Sequence, residues 1–230
     1  MLDPASILYV DNHVLVVEKP AGVLSQGDAT GDLDLLTMAK AYVKVRFEKP
    51  GEVFLGLVHR LDRPVSGVMV FARTSKAASR LAAQFKTRAI GKRYVALVEG
   101  RCAGEGTQVD YLWKDHLRVR SVGPNHPKGM QSELSWKAVR QRDGMTVLDV
   151  QPKSGRPHQI RVQLAEMGHP IVGDFKYGAR QPFDGRNLAL HSYQLAFDHP
   201  TREERCVFAA PPPATWPAWA RERIVDDLLA

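Results

Sequence analysis

The 230-residue chain reads as an α+β domain: a mixed, largely antiparallel sheet with flanking helices. Two observations carry that reading. Short β-rich apolar runs alternate with tight connectors of Gly, Pro, Asn and Asp, and only a few segments show helical spacing. The composition, 44% apolar and 25% charged, is that of an ordinary globular protein and excludes a disordered or fibrous chain. No internal repeat or long linker divides the sequence, so residues 1–230 are expected to form a single domain of two packed halves.

The elements follow in order. Ile7-Leu8-Tyr9-Val10 and Val14-Leu15-Val16-Val17, split by Asp11-Asn12-His13, predict a hairpin that Lys19-Pro20-Ala21-Gly22 ends. Phe54 to Val58 and Val68 to Ala72 are two more apolar runs. Between them lies His59-Arg60-Leu61-Asp62-Arg63-Pro64-Val65-Ser66-Gly67, a loop constrained by its Pro and Gly. Thr74 suits the cap of a helix to about Arg88, with Ala77, Ala78, Leu81, Ala82 and Phe85 on its apolar face. Tyr94 to Val98 predicts a strand. Residues 102–130 hold scattered Gly and Pro and are expected to be a variable loop region. Leu134 to Arg140 and Thr146 to Val150 predict paired strands. Pro157 predicts the first turn of a second helix to about Met167, closed by Gly168. Leu188 to His191 and Gln194 to Phe197 predict late strands, and a short helix follows from about Pro217.

Charge narrows the function. The net charge is +7, and His59 to Arg101 carries ten Lys or Arg against two acids, Asp62 and Glu99. The rest of the chain is close to neutral, so the surplus marks a basic face for a polyanion or a solvated helix face. Two distant cysteines, Cys102 and Cys206, exclude a disulfide framework, and no apolar run is long enough to span a membrane. A reducing compartment, most simply the cytoplasm, is expected. The eight histidines have no metal-ligand spacing, and no phosphate-loop, dinucleotide or serine-hydrolase motif is present. Neither a metal nor a cofactor is expected.

Several residues invite chemistry. Asp62 lies between Arg60 and Arg63 in a tight loop, as a nucleophile or base does, or as a residue that shapes an Asx turn. Arg156, His158 and Arg161 gather at the start of the second predicted helix, as an anion site or a solvated polar face. Tyr94 follows two cations, Lys92 and Arg93, as a stacking platform beside phosphate contacts or as a core aromatic.

The loop from His59 to Gly67 resembles the H-R-L-D-x-x-T/V-S-G motif of the RluA-type pseudouridine synthases. Five further segments resemble that family in the same order: Lys19 to Gly22, Lys92 to Leu97, Gly155 to Val162, Gly173 to Gly178, and Leu188 to Ser192. The resemblance covers about residues 7–210. It implies the family's fold with a central cleft and the isomerisation of uridine in RNA, tRNA or rRNA, to pseudouridine. It implies Asp62 as the essential residue, Tyr94 as the residue stacking on the target base, Arg161 as the partner of the aspartate, and Leu190 as a wall of the uracil pocket. Lys19, His59, Arg60, Lys92, Arg93, Arg156 and His158 complete the expected substrate-contacting set. Val65 replaces the commoner Thr. No separate N-terminal RNA-binding domain is expected before these motifs, and a monomer is the simplest assembly. The competing expectation is a non-catalytic RNA-binding or ribosome-assembly protein on the same scaffold.

Overall fold

A computed structural model describes residues 2–116, 118–222 and 224–229. The elements in chain order are β1 (Ile7–Val10), β2 (Val14–Lys19), α1 (Leu35–Arg46), β3 (Gly56–Leu57), β4 (Ser66–Ala72), α2 (Ser75–Thr87), β5 (Gly91–Glu99) and β6 (Glu105–Asp115). Then follow β7 (Arg118–Val122), β8 (Met130–Arg142), β9 (Met145–Pro152), α3 (Gln159–Glu166), β10 (Leu190–Asp198), β11 (Arg205–Ala209), α4 (Ala218–Arg221) and α5 (Ile224–Leu229). Short 3₁₀ turns cover Pro4–Ser6 and Phe175–Tyr177. The α+β class holds, and the chain divides into two compact units.

The first unit comprises Met1–Gly91 and Ser192–Ala210. Its strands run in the order β1-β2-β4-β10, with β11 on β10 and β3 on β4. The β4 strand is buried along its whole length, which is why Ser66–Ala72 reads as an unbroken run of small and apolar residues rather than an alternating one. The antiparallel β2–β4 register pairs Val14 with Ala72 and Lys19 with Gly67. That register sets the Lys19–Gly22 turn beside the loop that carries Asp62. The α2 helix begins where Thr74 caps it, the side chain accepting from the Ala77 amide at 3.1 Å. Ala77 and Leu81 are buried against Val68, Val70 and Phe197, whereas Ala82 is exposed. The α1 helix was not foreseen. Asp34 caps it through the Thr37 amide at 3.0 Å, and Leu35, Ala39 and Val43 form its buried stripe.

The second unit comprises Lys92–His191 and Pro211–Ala230. Its sheet order is β5-β9-β8-β6-β7, every neighbouring pair antiparallel. Residues 102–130, expected as loop, are largely strand. β6 alternates exposed with half-buried polar residues, a pattern whose hydrophobic signal is too weak to announce a strand. The α3 helix starts at Gln159, two residues later than expected. His158 holds a left-handed conformation, φ 51° and ψ 19°, so Pro157 lies outside the helix and the turn precedes it. The expected pair of late strands is one strand, β10. No helix among the described residues is long and apolar enough to cross a membrane.

Candidate active site

The Asp62 loop belongs to the first unit, and its backbone is fixed on both sides of the aspartate. On one side, the Ser25 hydroxyl accepts from the Leu61 amide at 3.1 Å and donates to the Leu61 carbonyl at 2.7 Å. On the other, the Gly22 amide donates to the Arg63 carbonyl at 2.8 Å, and Arg63 Nε returns a bond to the Gly22 carbonyl at 2.9 Å. The Val65 amide closes a turn on the Asp62 carbonyl at 3.0 Å. Gly67 follows with φ +132°, and a Cβ there would stand 2.4 Å from the Ser192 carbonyl oxygen. Only glycine permits that approach of β4 to Ser192. Asp62 itself is half-buried.

Lys19 is the residue whose setting differs most from expectation. It was expected to contact substrate, yet its side chain is fully buried, and Nζ donates to the carbonyls of Pro20 at 2.9 Å, Val23 at 2.7 Å and Arg63 at 3.2 Å. A lysine so placed organises the loop instead of offering its charge to a phosphate. Burial pushes its pKa down to about 7, the Asp62 carboxylate pulling it back up and the Arg63 guanidinium adding to the fall. His59 also has a structural position. Its ring stacks on Phe85 at 4.7 Å, and Nε2 accepts from the Val70 amide at 3.0 Å, which places the ring proton of a neutral imidazole on Nδ1. Arg60 is exposed. Of the basic stretch, Lys76, Arg80, Lys86 and Arg88 face solvent, while the Arg73 guanidinium lies 4.0 Å over the Phe47 ring.

Tyr94, Arg161, Leu190 and their neighbours belong to the second unit. Tyr94 sits half-buried on β5 opposite Val150 of β9. Lys92 Nζ donates to the Ser154 carbonyl at 3.0 Å, at the mouth of the Gly155–Val162 segment. Arg93 pairs with Asp149 at 2.6 Å and donates to the Leu228 carbonyl at 3.0 Å, ties that join β5, β9 and α5. Arg156 is half-buried before α3. Leu190 is buried at the start of β10.

Arg161 makes a buried bidentate pair with Asp174, Nε to Oδ2 at 2.7 Å and Nη2 to Oδ1 at 2.8 Å. Asp174 thus engages two of the five guanidinium N–H donors. The guanidinium also lies 5.2 Å over the Tyr177 ring. The Tyr177 hydroxyl is 2.6 Å from His158 Nδ1 and accepts from the Val119 amide at 3.3 Å. Gly173 makes this possible: at φ +87°, a Cβ would stand 2.6 Å from the Asn187 carbonyl oxygen. Gly173 to Gly178 is one of the segments that carry the family resemblance, yet nothing in the sequence gives Asp174 or Tyr177 a part. Their signal was an aspartate and a tyrosine three apart beside a glycine, which fixes no partner. Among the described residues, no group of three or more His, Cys, Asp or Glu is arranged to hold a metal.

Residues 13–166 match the model of the RNA pseudouridylate synthase family. The chain is 34% identical over 212 residues to the ribosomal large subunit pseudouridine synthase C of Vibrio cholerae, covering 89% of this chain and 65% of that protein. It is 35% identical over 217 residues to the uncharacterized RNA pseudouridine synthase YjbO of Bacillus subtilis, covering 91% of this chain and 73% of that one. Among solved structures it resembles human RNA pseudouridylate synthase domain containing 1, with a TM-score of 0.75 at 24% identity over 97% of this chain and 92% of the other, a likeness of fold. The chain spans about two thirds or less of the length of the synthase C relatives from Vibrio, 65% in each of three. With a family model that matches residues 13–166 and relatives at this level of identity, the chain belongs to the RNA pseudouridylate synthase family.

Proposed function

We propose that the chain isomerises uridine to pseudouridine in ribosomal RNA, with Asp62 as the essential residue. The observation that carries the reading is the clamped loop: a half-buried aspartate whose neighbours on both sides are held by Ser25, Gly22 and the buried Lys19, in a member of this family. Large-subunit ribosomal RNA is favoured over transfer RNA by the names of the synthase C relatives.

The reaction is an isomerisation. The bond from C1′ to N1 breaks, the uracil turns, and a bond forms from C1′ to C5. The C5 proton leaves and N1 takes one up, so no oxidant or phosphoryl donor enters the balance. Asp62 acts at the sugar, either by attack at C1′ or by stabilising a sugar intermediate. Arg161, held by Asp174, supplies a fixed guanidinium charge. Tyr94 stacks on the detached base and Leu190 walls it in, so that it recombines rather than escapes. The target must first leave its stack, at a cost of a few kcal/mol, which the exposed cations of α2 offset through phosphate contacts.

The test is release of tritium from C5-labelled uridine in unmodified transcripts. The purified chain should release tritium from large-subunit ribosomal RNA and not from a pool of transfer RNAs. Release from transfer RNA alone would overturn the substrate assignment, and release from neither would overturn the activity.

A further inference from the structure

The β6–β7 hairpin carries a feature that the Asp62 chemistry does not use. One side of the hairpin serves the core, with Leu112 and Val119 buried against Val162 and Tyr177. Trp113 and Arg120 are register partners and alternate with those core positions, so they stand on the other side. Residues 123–129 fold into a compact turn, the His126 amide donating to the Gly123 carbonyl at 3.0 Å and the Gly129 amide to the His126 carbonyl at 2.9 Å. His126 lies against Trp113, with ring centroids 5.0 Å apart, and its Nδ1 accepts from the Lys128 amide at 3.2 Å. Between turn and strand end is an open groove of about 370 Å³ lined by Trp113, Lys114, Asp115, His116 and Lys128. Over 111–130 the chain has four basic residues, Lys114, Arg118, Arg120 and Lys128, against Asp115, which is the register partner of Arg118.

We infer that this groove binds single-stranded or unpaired RNA away from the target uridine, a base stacking on Trp113 and a flanking phosphate held by Lys128. The choice of RNA over another polyanion rests on the proposed activity and on the juxtaposition itself. A half-buried indole beside the exposed Lys128 suits a nucleotide, which offers a flat base and a phosphate together, better than an acidic peptide, which offers only charge. The turn fixes the backbone of Lys128 through the bond from its amide to His126 Nδ1, and core packing of the opposite face keeps Trp113 from collapsing inward. This surface lies outside the basic stretch from His59 to Arg101.

The experiment measures equilibrium binding of fluorescein-labelled oligouridylate to the full chain by anisotropy, across a salt series. Trp113→Ala should weaken binding about tenfold, the loss expected of one stacked base, and Trp113→Phe should restore most of it. Lys128→Ala should lower the slope of log affinity against log salt by about 0.7, one phosphate's worth on a single strand. Polyglutamate, the probe for an acidic protein partner, should bind weakly and be indifferent to Trp113→Ala. Unchanged oligouridylate affinity and slope in all three variants would overturn the inference, as would polyglutamate binding as tightly as the RNA. Binding is read without turnover, so a chain that fails to release tritium yet shows these losses refutes the activity and keeps the groove.

Discussion

The Asp62 loop and the α3 region hold their functional side chains by opposite means. Around Asp62, the bonds from Lys19, the Ser25 hydroxyl and the Gly22 amide reach main-chain atoms of Leu61 and Arg63. Around Arg161, the fixing contacts are made to the side chain itself, by the Asp174 carboxylate and the Tyr177 ring. The first arrangement fixes where a carboxylate stands by fixing the backbone on either side of it. The second fixes a charge by neutralising it in the interior. The difference has an energetic consequence: damage to the first alters geometry, whereas damage to the second removes a buried ion pair.

The largest effect tests that contrast directly. Asp174→Ala removes the carboxylate from a buried bidentate ion pair with Arg161, and stability to urea should fall by about 3–5 kcal/mol. Asp174→Asn, which keeps an acceptor and the shape, should lose less. A fall below 1 kcal/mol for Asp174→Ala would show that the pair is not what secures Arg161.

The next is a pH effect on the first region. The Lys19 pKa is lowered from 10.5 to about 7 in the folded chain, so between those values the unfolded chain binds more protons than the folded one. The penalty of burying the ammonium is then fully present below pH 7 and is released as pH rises toward 10.5. Relative to Lys19→Met, wild-type stability should therefore increase by about 3 kcal/mol between pH 7 and 9.5, measured as urea unfolding free energies. Parallel profiles for the two proteins would mean that Lys19 titrates as an exposed lysine does.

A smaller effect is expected at Ser25. Removing its hydroxyl leaves the Leu61 amide and carbonyl without their side-chain partner, so Ser25→Ala should cost about 2 kcal/mol. Because Leu61 adjoins Asp62, tritium release per folded molecule should drop as well. If stability falls and turnover per folded molecule does not, the clamp on Leu61 is a matter of folding alone.

How much of this was legible in the sequence depended on where the information lay. The β1–β2 hairpin and α2 were readable because period and cap residues are local, as with Thr74 and the Ala77–Leu81 stripe. The β6–β7 hairpin was not, since its strands bury little and Gly104, Gly106 and Gly123 read as breaks. Asp62 stood out by its motif, but Lys19 was misplaced. A lysine before proline carries no sign of burial; only the pairing of Lys19 with Gly67 puts its ammonium among three carbonyls. Asp174 was invisible for a related reason. Its partner lies thirteen residues earlier on a helix, and the glycine that permits the approach is explained by the Asn187 carbonyl, not by anything adjacent in sequence.

The most direct measurement compares wild type with Asp62→Asn, a change that removes the charge and nearly preserves the volume. Single-turnover tritium release from C5-labelled large-subunit ribosomal RNA is read beside RNA affinity. Release is expected to fall by at least about a thousandfold, more than 4 kcal/mol of lost transition-state stabilisation, while RNA affinity stays within about twofold. Release at the wild-type rate from the asparagine variant, with RNA still bound, would contradict this expectation.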